Sequence, residues 1–491
     1  MTKNMTTIET RLGKINGIDT DGALAFLGIR YGESPTGALR FMPPVAAGAW
    51  SGVLDATEHP NRPIQGRLLG TMGQETPGAL SEDCLFLNIY TPSVVDATRP
   101  VMFWIHGGGF SAGSANEYDG RVLAKQNDVV VVTINYRLGP FGFLNLEPLG
   151  DEFKGSASNG YRDMILALQW VKDNIADYGG NAENVTIFGE SAGGIAILAL
   201  LATPSADGLY RKAIIHSPGS PKAPNGDKTE MMAEKLGIDR SQLLETLRGM
   251  SAEKLHDAGL PAGCEIDGTV VTRAYNAAIL DRANNGVPLI VGTNRTEGTL
   301  FTPPDTEDED LSGYEKSLHG VARGVMQGAD STAFVEGIKK AHPDQNAKRL
   351  MEMISTDNFL RTAIEAAKCA TAAGPGGWLY RFDLATTLEY NGKLTEATHA
   401  CEMAFTYNAY ADPDCHVFAI HDPAAPGVLQ LSEQWSQTLA RFAWTGNPNG
   451  AGLPQWEPYG EESRPVMLLD ATSHVALDPD EIHRKLWLET A

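Results

Sequence analysis

Residues 188–194 read Phe-Gly-Glu-Ser-Ala-Gly-Gly, between a β-branched run at 184–187 and an apolar, helix-forming stretch at 192–202. A turn that passes straight from strand to helix is too sharp for side chains on either flank of its apex. Gly189 and Gly193 around Ser191 therefore fit the Gly-x-Ser-x-Gly pattern of a nucleophile elbow. The pentapeptide alone recurs by chance, and its weight comes from the strand before it and the helix after it.

The rest of the chain supplies a matching setting. Strand candidates at 85–90, 101–105, 129–134, 185–188, 213–216, 288–291 and 378–382 alternate with helical patterns. The clearest helix covers 161–178, where Met164, Leu168, Val171 and Ile175 recur at steps of four, three and four. Such alternation implies crossovers, hence an α/β fold whose mainly parallel sheet is covered on both faces. Two stretches, about 227–283 and 311–373, read as helical without strong strands and are expected as insertions around the sheet. No repeat and no Gly/Ser or Pro tract divides the chain, so a single domain over 1–491 is expected. The acidic run at 306–310 reads as a solvated loop.

Composition excludes other classes. With 42% hydrophobic and 20% charged residues the chain can bury a large core. Lys and Arg number 39 against 61 Asp and Glu, a net charge of -22 that opposes nucleic acid and anionic lipid as partners. The first residues lack the apolar core of a signal peptide, and no run approaches the ~18 apolar residues of a membrane span, so a cytoplasmic location is expected. The five cysteines, Cys84, Cys264, Cys369, Cys401 and Cys415, suit a reduced compartment; Cys401 and Cys415 are the pair closest in sequence should one bridge form.

A serine needs a base to take its proton and a cradle for the oxyanion that its attack creates. His106-Gly107-Gly108-Gly109-Phe110 follows the strand candidate at 101–105. Its bare backbone can present the amides of Gly108 and Gly109, with that of Ala192 completing the hole. The acid and the base should follow later strands in the order Ser, Asp or Glu, His. Glu297 follows the 288–291 candidate, with Asp281, Glu307 and Asp383 as competitors near strand ends. His399 follows the 378–382 candidate, with His319, His342, His416, His421, His474 and His483 as alternatives. Phe110, Leu300 and Phe301 are candidate substrate contacts. Glu190 either adds negative potential for cationic groups or supports the elbow as a buried carboxylate. Acyl transfer of this kind requires no cofactor or metal, and His399, Cys401, Cys415 and His416 lack the paired spacing of a zinc site.

Several further segments carry a resemblance. Gly28-Ile29-Arg30-Tyr31 with Arg40-Phe41, the run from Ser81 to Asn88, Asn135-Tyr136-Arg137, Gly142-Phe143 and Gly446-Asn447-Pro448 resemble those of type B carboxylesterases, an esterase and cholinesterase family of α/β-hydrolases. The likeness covers about 13–459 and is strongest to bacterial para-nitrobenzyl-esterase-like members. It implies a serine carboxylesterase whose triad is Ser191, Glu297 and His399, acting on small-molecule esters. It also implies structural ion pairs of Arg40 with Glu82 and Arg137 with Asp163. Arg30, Gly32 and Ala400 depart from the usual family residues, and Cys84 lacks the upstream cysteine of disulfide-bearing members. Carbamate or amide hydrolysis on the same triad is the alternative activity, and a non-catalytic binding role is a further one.

Overall fold

The computed structural model describes residues 4–489 apart from 21, 67–75, 97, 222–225, 264–265, 282–285, 305–309, 391 and 416. Most of the acidic run, Cys264, Glu307 and His416 thus lie outside the described residues. In chain order the strands are β1 (Asn4–Thr10), β2 (Gly13–Asp19), β3 (Leu24–Arg30), β4 (Val53–Asp55), β5 (Arg62–Pro63), β6 (Leu80–Ser81), β7 (Phe86–Thr91) and β8 (Arg99–Ile105). They continue as β9 (Val130–Ile134), β10 (Gly180–Glu190), β11 (Lys212–His216), β12 (Leu289–Asn294), β13 (Gly377–Phe382), β14 (Pro465–Leu469) and β15 (His474–Leu477).

A 13-stranded sheet takes the order β1-β2-β3-β7-β9-β8-β10-β11-β12-β13-β14-β15, with β4 beside β2. Each of the seven strand candidates falls on one of its strands. From β9 across to β14 every pairing is parallel. A parallel strand is covered by helices on both sides, so both of its faces are apolar, and the side chains alternate between two cores. Val101, Phe103, Ile105, Ile187, Ile215, Val291 and Leu379 face one core, shared with Met164, Leu168 and Val171. These helix residues lie on Asn159–Asn174, close to the 161–178 expected; a 3-10 turn, Ile175–Tyr178, completes the pattern. Met102, Trp104, Phe188, Ile214, Ile290 and Tyr380 face the other core, against Leu431, Trp435 and Leu439 of the helix Val428–Thr445.

Helices also fill the two strand-poor stretches. Met232, Leu243, Leu247 and Leu255 pack on Phe41, Phe141 and Leu146. Helices Ser312–Val325, Thr332–Ala341 and Ala347–Ala372 share a cluster with Trp487 near the carboxyl end.

Both expected ion pairs form. Arg40 Nε donates to Glu82 at 2.8 Å, and Arg137 meets Asp163 at 2.7 Å with both side chains buried. Cys401 and Cys415 are free thiols: Cys401 Sγ donates to Asn294 Oδ1 and Cys415 Sγ to the Asp119 carbonyl, so no bridge joins them. No helix among the described residues is long and apolar enough to cross a membrane.

Candidate active site

The parallel pairings bring the carboxyl ends of β8, β10, β12 and β13 to one rim of the sheet, where loops carry the candidate residues. Ser191 follows β10 with φ 55 and ψ -118, a left-handed conformation strained for a non-glycine residue, and caps the helix Ala192–Leu201. Its N–H donates to the His216 carbonyl at 3.0 Å on the neighbouring strand. Glycine is required at Gly193, because a Cβ there would stand 2.0 Å from the Ile105 carbonyl oxygen. The Ser191 hydroxyl is partly exposed and makes no hydrogen bond among the described residues.

The glycine loop lies against this turn. A Cβ on Gly107 would meet Glu190 Oε2 at 2.6 Å and Ser191 Cβ at 3.1 Å. Gly108 and Gly109 have φ of 102 and 63, and a Cβ on Gly108 would strike the Ala112 carbonyl at 2.2 Å. Among the described residues the N–H groups of Gly108 and Gly109 have no backbone acceptor. Ala192, the first residue of its helix, has an N–H with no intrahelical acceptor.

Glu297 is fully buried at the start of a 3-10 turn. Its Oε1 accepts from Ser217 Oγ at 2.6 Å and from the Asn294 N–H at 2.7 Å, leaving Oε2 for His399 Nδ1 at 2.5 Å. The competing acids are engaged elsewhere, Asp281 with Arg273 and Asp383 with Arg381. Among the other histidines, His342 and His483 face each other at 2.9 Å, His421 packs against Tyr410, and His474 lies on the exposed β15 edge.

His399 Nε2 lies 3.0 Å from Glu190 Oε1. That oxygen has no hydrogen-bond partner, so the contact is a Coulombic one off the N–H axis. Burial works to lower the His399 pKa, but the charges of Glu190 and Glu297 outweigh it and lift the imidazole to about 9. Burial likewise raises Glu190 to about 7, opposed by His399. A further carboxyl, Glu402, is raised to about 8 by burial and by the charges of Glu297 and Glu190. Its Oε2 accepts from Asn294 Nδ2 at 2.7 Å, and Tyr380 OH, 3.4 Å from its Oε1, lies 2.6 Å from His216 Nδ1. Burial lowers His216 to about 3, which keeps it neutral. The only sequence signal for Glu402 is its place three residues after His399; His216 is signalled by the end of a strand beside the elbow.

The candidate substrate contacts separate. Phe301 is 58% exposed, its ring 5.2 Å from the His399 ring. Phe110 instead belongs to the core, with ring contacts to Phe143 at 4.9 Å and Tyr161 at 5.9 Å. Leu300 is partly buried, packed against the core that contains Trp104 and Phe405. Phe359, which no sequence pattern marks, stands 4.8 Å from His399 and 6.2 Å from Phe301 with nearly parallel rings. No group of three or more His, Cys, Asp or Glu residues among the described residues is arranged to hold a metal ion.

A serine perched between a parallel strand and its following helix, at the carboxyl rim of such a sheet, defines a hydrolase of the α/β-hydrolase class. The model of the carboxylesterase family matches residues 4–487, and the chain belongs to that family, as a carboxylic ester hydrolase. It is 34% identical to the para-nitrobenzyl esterase of Bacillus subtilis (strain 168), covering 97% of each chain. It is 32% identical to a human cocaine esterase, over 91% of this chain and 84% of that one. Among solved structures, a PNB esterase superposes with a TM-score of 0.85 at 32% identity over 99% of both chains. A carboxylesterase from Geobacillus stearothermophilus gives 0.83 at 34% identity over 98% of this chain and 100% of that one.

Proposed function

We propose that the ester is cleaved by Ser191, with His399 as base, Glu297 as its orienting acid, and the N–H groups of Gly108, Gly109 and Ala192 as the oxyanion hole. The 2.5 Å contact between Glu297 and His399, beside the strained serine turn, carries this reading. Glu297 fixes the proton on Nδ1, which leaves Nε2 as the atom able to accept the Ser191 proton. Attack on the ester carbonyl forms the bond to Oγ, and the alkoxide collapses with loss of alcohol, protonated by the imidazolium. Water, deprotonated by the same histidine, then attacks the acyl carbonyl; the C–Oγ bond breaks, the imidazolium returns its proton to Ser191 Oγ, and the acid leaves.

The substrate is a small ester whose aryl or benzyl group rests on the rings of Phe301 and Phe359, in keeping with the para-nitrobenzyl group in the first relative's name. The chain acts as one domain in the cytoplasm, a location supported by four free cysteines among the described residues, with no nucleic acid as partner given its net charge of -22. The experiment is reaction with a fluorophosphonate probe followed by peptide mass analysis. The adduct is expected on Ser191; an adduct on another residue, or none on an active preparation, overturns the assignment.

A further inference from the structure

The proposed acid and base ride on separate loops, and the base loop is strained. Glu396 and Ala400, either side of residues 397–399, have φ of 57 and 64, left-handed values that favour glycine. Non-glycine residues hold such conformations only where their surroundings over-determine them. The buried surroundings here centre on one hydroxyl. Thr299, two residues beyond Glu297, places its Oγ1 2.7 Å from the Thr296 carbonyl, 2.8 Å from the Thr395 carbonyl and 2.8 Å from Thr398 Oγ1. Thr299, Thr395 and Thr398 are all buried.

A hydroxyl has one proton and two lone pairs. Thr299 Oγ1 is the donor in all three contacts, so its one proton is shared among them; two of the three acceptors, the Thr395 carbonyl and Thr398 Oγ1, belong to the base loop, and either bond ties the residues around His399 to the turn that begins with Glu297. The Thr296 N–H, donating to the Ala397 carbonyl at 2.9 Å, is a second crossing at the same level. Asn294, whose N–H donates to Glu297, also meets the segment after His399 through Glu402 and Cys401; farther out, Lys393 Nζ donates to the Thr302 carbonyl, and Arg349 of the helix Ala347–Ala372 pairs with the exposed Glu396. The acid turn is separately moored to the helix Ala347–Ala372, where the Gly298 N–H donates to Thr356 Oγ1 at 3.1 Å.

We propose that Thr299 is a positioning residue: its hydroxyl, paired with that of Thr398, clamps the strained base loop to the acid turn and holds the Glu297–His399 contact in register. The clamp rests on the triad proposed above. A displacement of about 1 Å between catalytic groups costs on the order of 10²-fold in rate, so a clamp with no contact to substrate affects kcat and spares KM.

The test is steady-state ester hydrolysis by Thr299→Val, Thr299→Ser and Thr398→Val, with folding followed by circular dichroism. Thr299→Val is expected to lower kcat about 10- to 100-fold with KM within about twofold, and Thr299→Ser to recover kcat to within about threefold of the native enzyme. Thr398→Val removes the hydroxyl that accepts from Thr299 and is expected to lower kcat in the same way, so it carries the test if Thr299→Val does not fold. Native kcat in either folded valine variant, a loss that only tracks the unfolded fraction, or no recovery with serine overturns the clamp. Fluorophosphonate labelling of the native enzyme separates the two proposals: an adduct away from Ser191 defeats the triad, whereas an adduct on Ser191 with native kcat in Thr299→Val defeats the clamp alone.

Discussion

His399 Nε2 lies 3.0 Å from Glu190 Oε1, so the imidazole sits between two buried carboxylates, Glu297 on its Nδ1 side and Glu190 on the other. The residue beside the candidate nucleophile therefore controls the charge of the candidate base. Glu190 is buried, and its Oε1 makes no hydrogen bond.

A base must be neutral to accept a proton. With its pKa lifted to about 9, His399 is mostly protonated at pH 7, and kcat/KM for a neutral ester should rise with pH through the neutral range. Glu190→Gln removes one of the two charges responsible. Its acid limb is expected to move about one unit toward lower pH. A pH profile of kcat/KM for both proteins checks this; an unmoved limb would show that Glu190 does not act on His399.

Glu402 gives a stability prediction of definite sign. Its folded pKa of about 8 lies above the ordinary 4.5, so the folded state favours the protonated carboxyl. That contribution is fully present below about pH 4.5 and is lost as pH rises through about 8. Glu402→Gln, a neutral stand-in, should therefore flatten the fall in Tm between pH 5 and pH 9 by about 1 to 3 °C. Thermal melts across that range measure it, and equal slopes for the two proteins would contradict it.

The place of Ser191, Glu297 and His399 at one rim of the sheet was legible because each has a local signal: glycines about Ser191, and strand ends before Glu297 and His399. The parallel strands from β8 to β13 were legible for a related reason, since burial on both faces writes apolar runs such as Val130–Ile134, whereas β14, Pro465–Leu469, was not among the candidates. β1 was not, because the edge strand Asn4–Thr10 is largely exposed and its sequence, NMTTIET, is mostly polar. Phe110 packs in the core and Leu300 lies partly buried against it, because proximity in sequence to a candidate residue does not reveal which way a side chain turns. Phe359 was missed because its place beside His399 depends on how a 26-residue helix crosses the sheet, which no local pattern encodes.

The glycine loop can be tested without touching a side-chain catalyst. A Cβ on Gly108 would stand 2.2 Å from the Ala112 carbonyl, a backbone atom that cannot swing aside. Gly108→Ala should displace the donors and lower kcat about 10²- to 10³-fold, as for a lost oxyanion donor. Stopped-flow acylation with a chromogenic ester would register the loss; native acylation rates would remove Gly108 from the oxyanion hole.

Arg137 and Asp163 form a fully desolvated pair, 2% and 0% exposed. Removing one member leaves the other charge buried without its partner, at a cost of about 3–5 kcal/mol. Arg137→Met should therefore shift the urea midpoint sharply downward. A midpoint unchanged from the native protein would mean that Asp163 finds compensation elsewhere.

The rings of Phe301 and Phe359 face each other at 6.2 Å beside His399, and Phe301 is 58% exposed. Phe301, exposed, and Phe359, half-buried, have contact area beside His399 to offer a substrate that they do not use in the core. Truncating both rings should weaken transition-state binding of an aryl or benzyl group by about 1–3 kcal/mol, or roughly 10- to 100-fold in kcat/KM, and leave a short alkyl ester within about threefold. The diagnostic quantity is the ratio of kcat/KM for benzyl acetate to that for ethyl acetate in Phe301→Ala/Phe359→Ala. A ratio that stays at its native value places the aryl group elsewhere, because a general loss of catalytic geometry lowers both rates together, whereas loss of a wall lowers only the one that leaned on it.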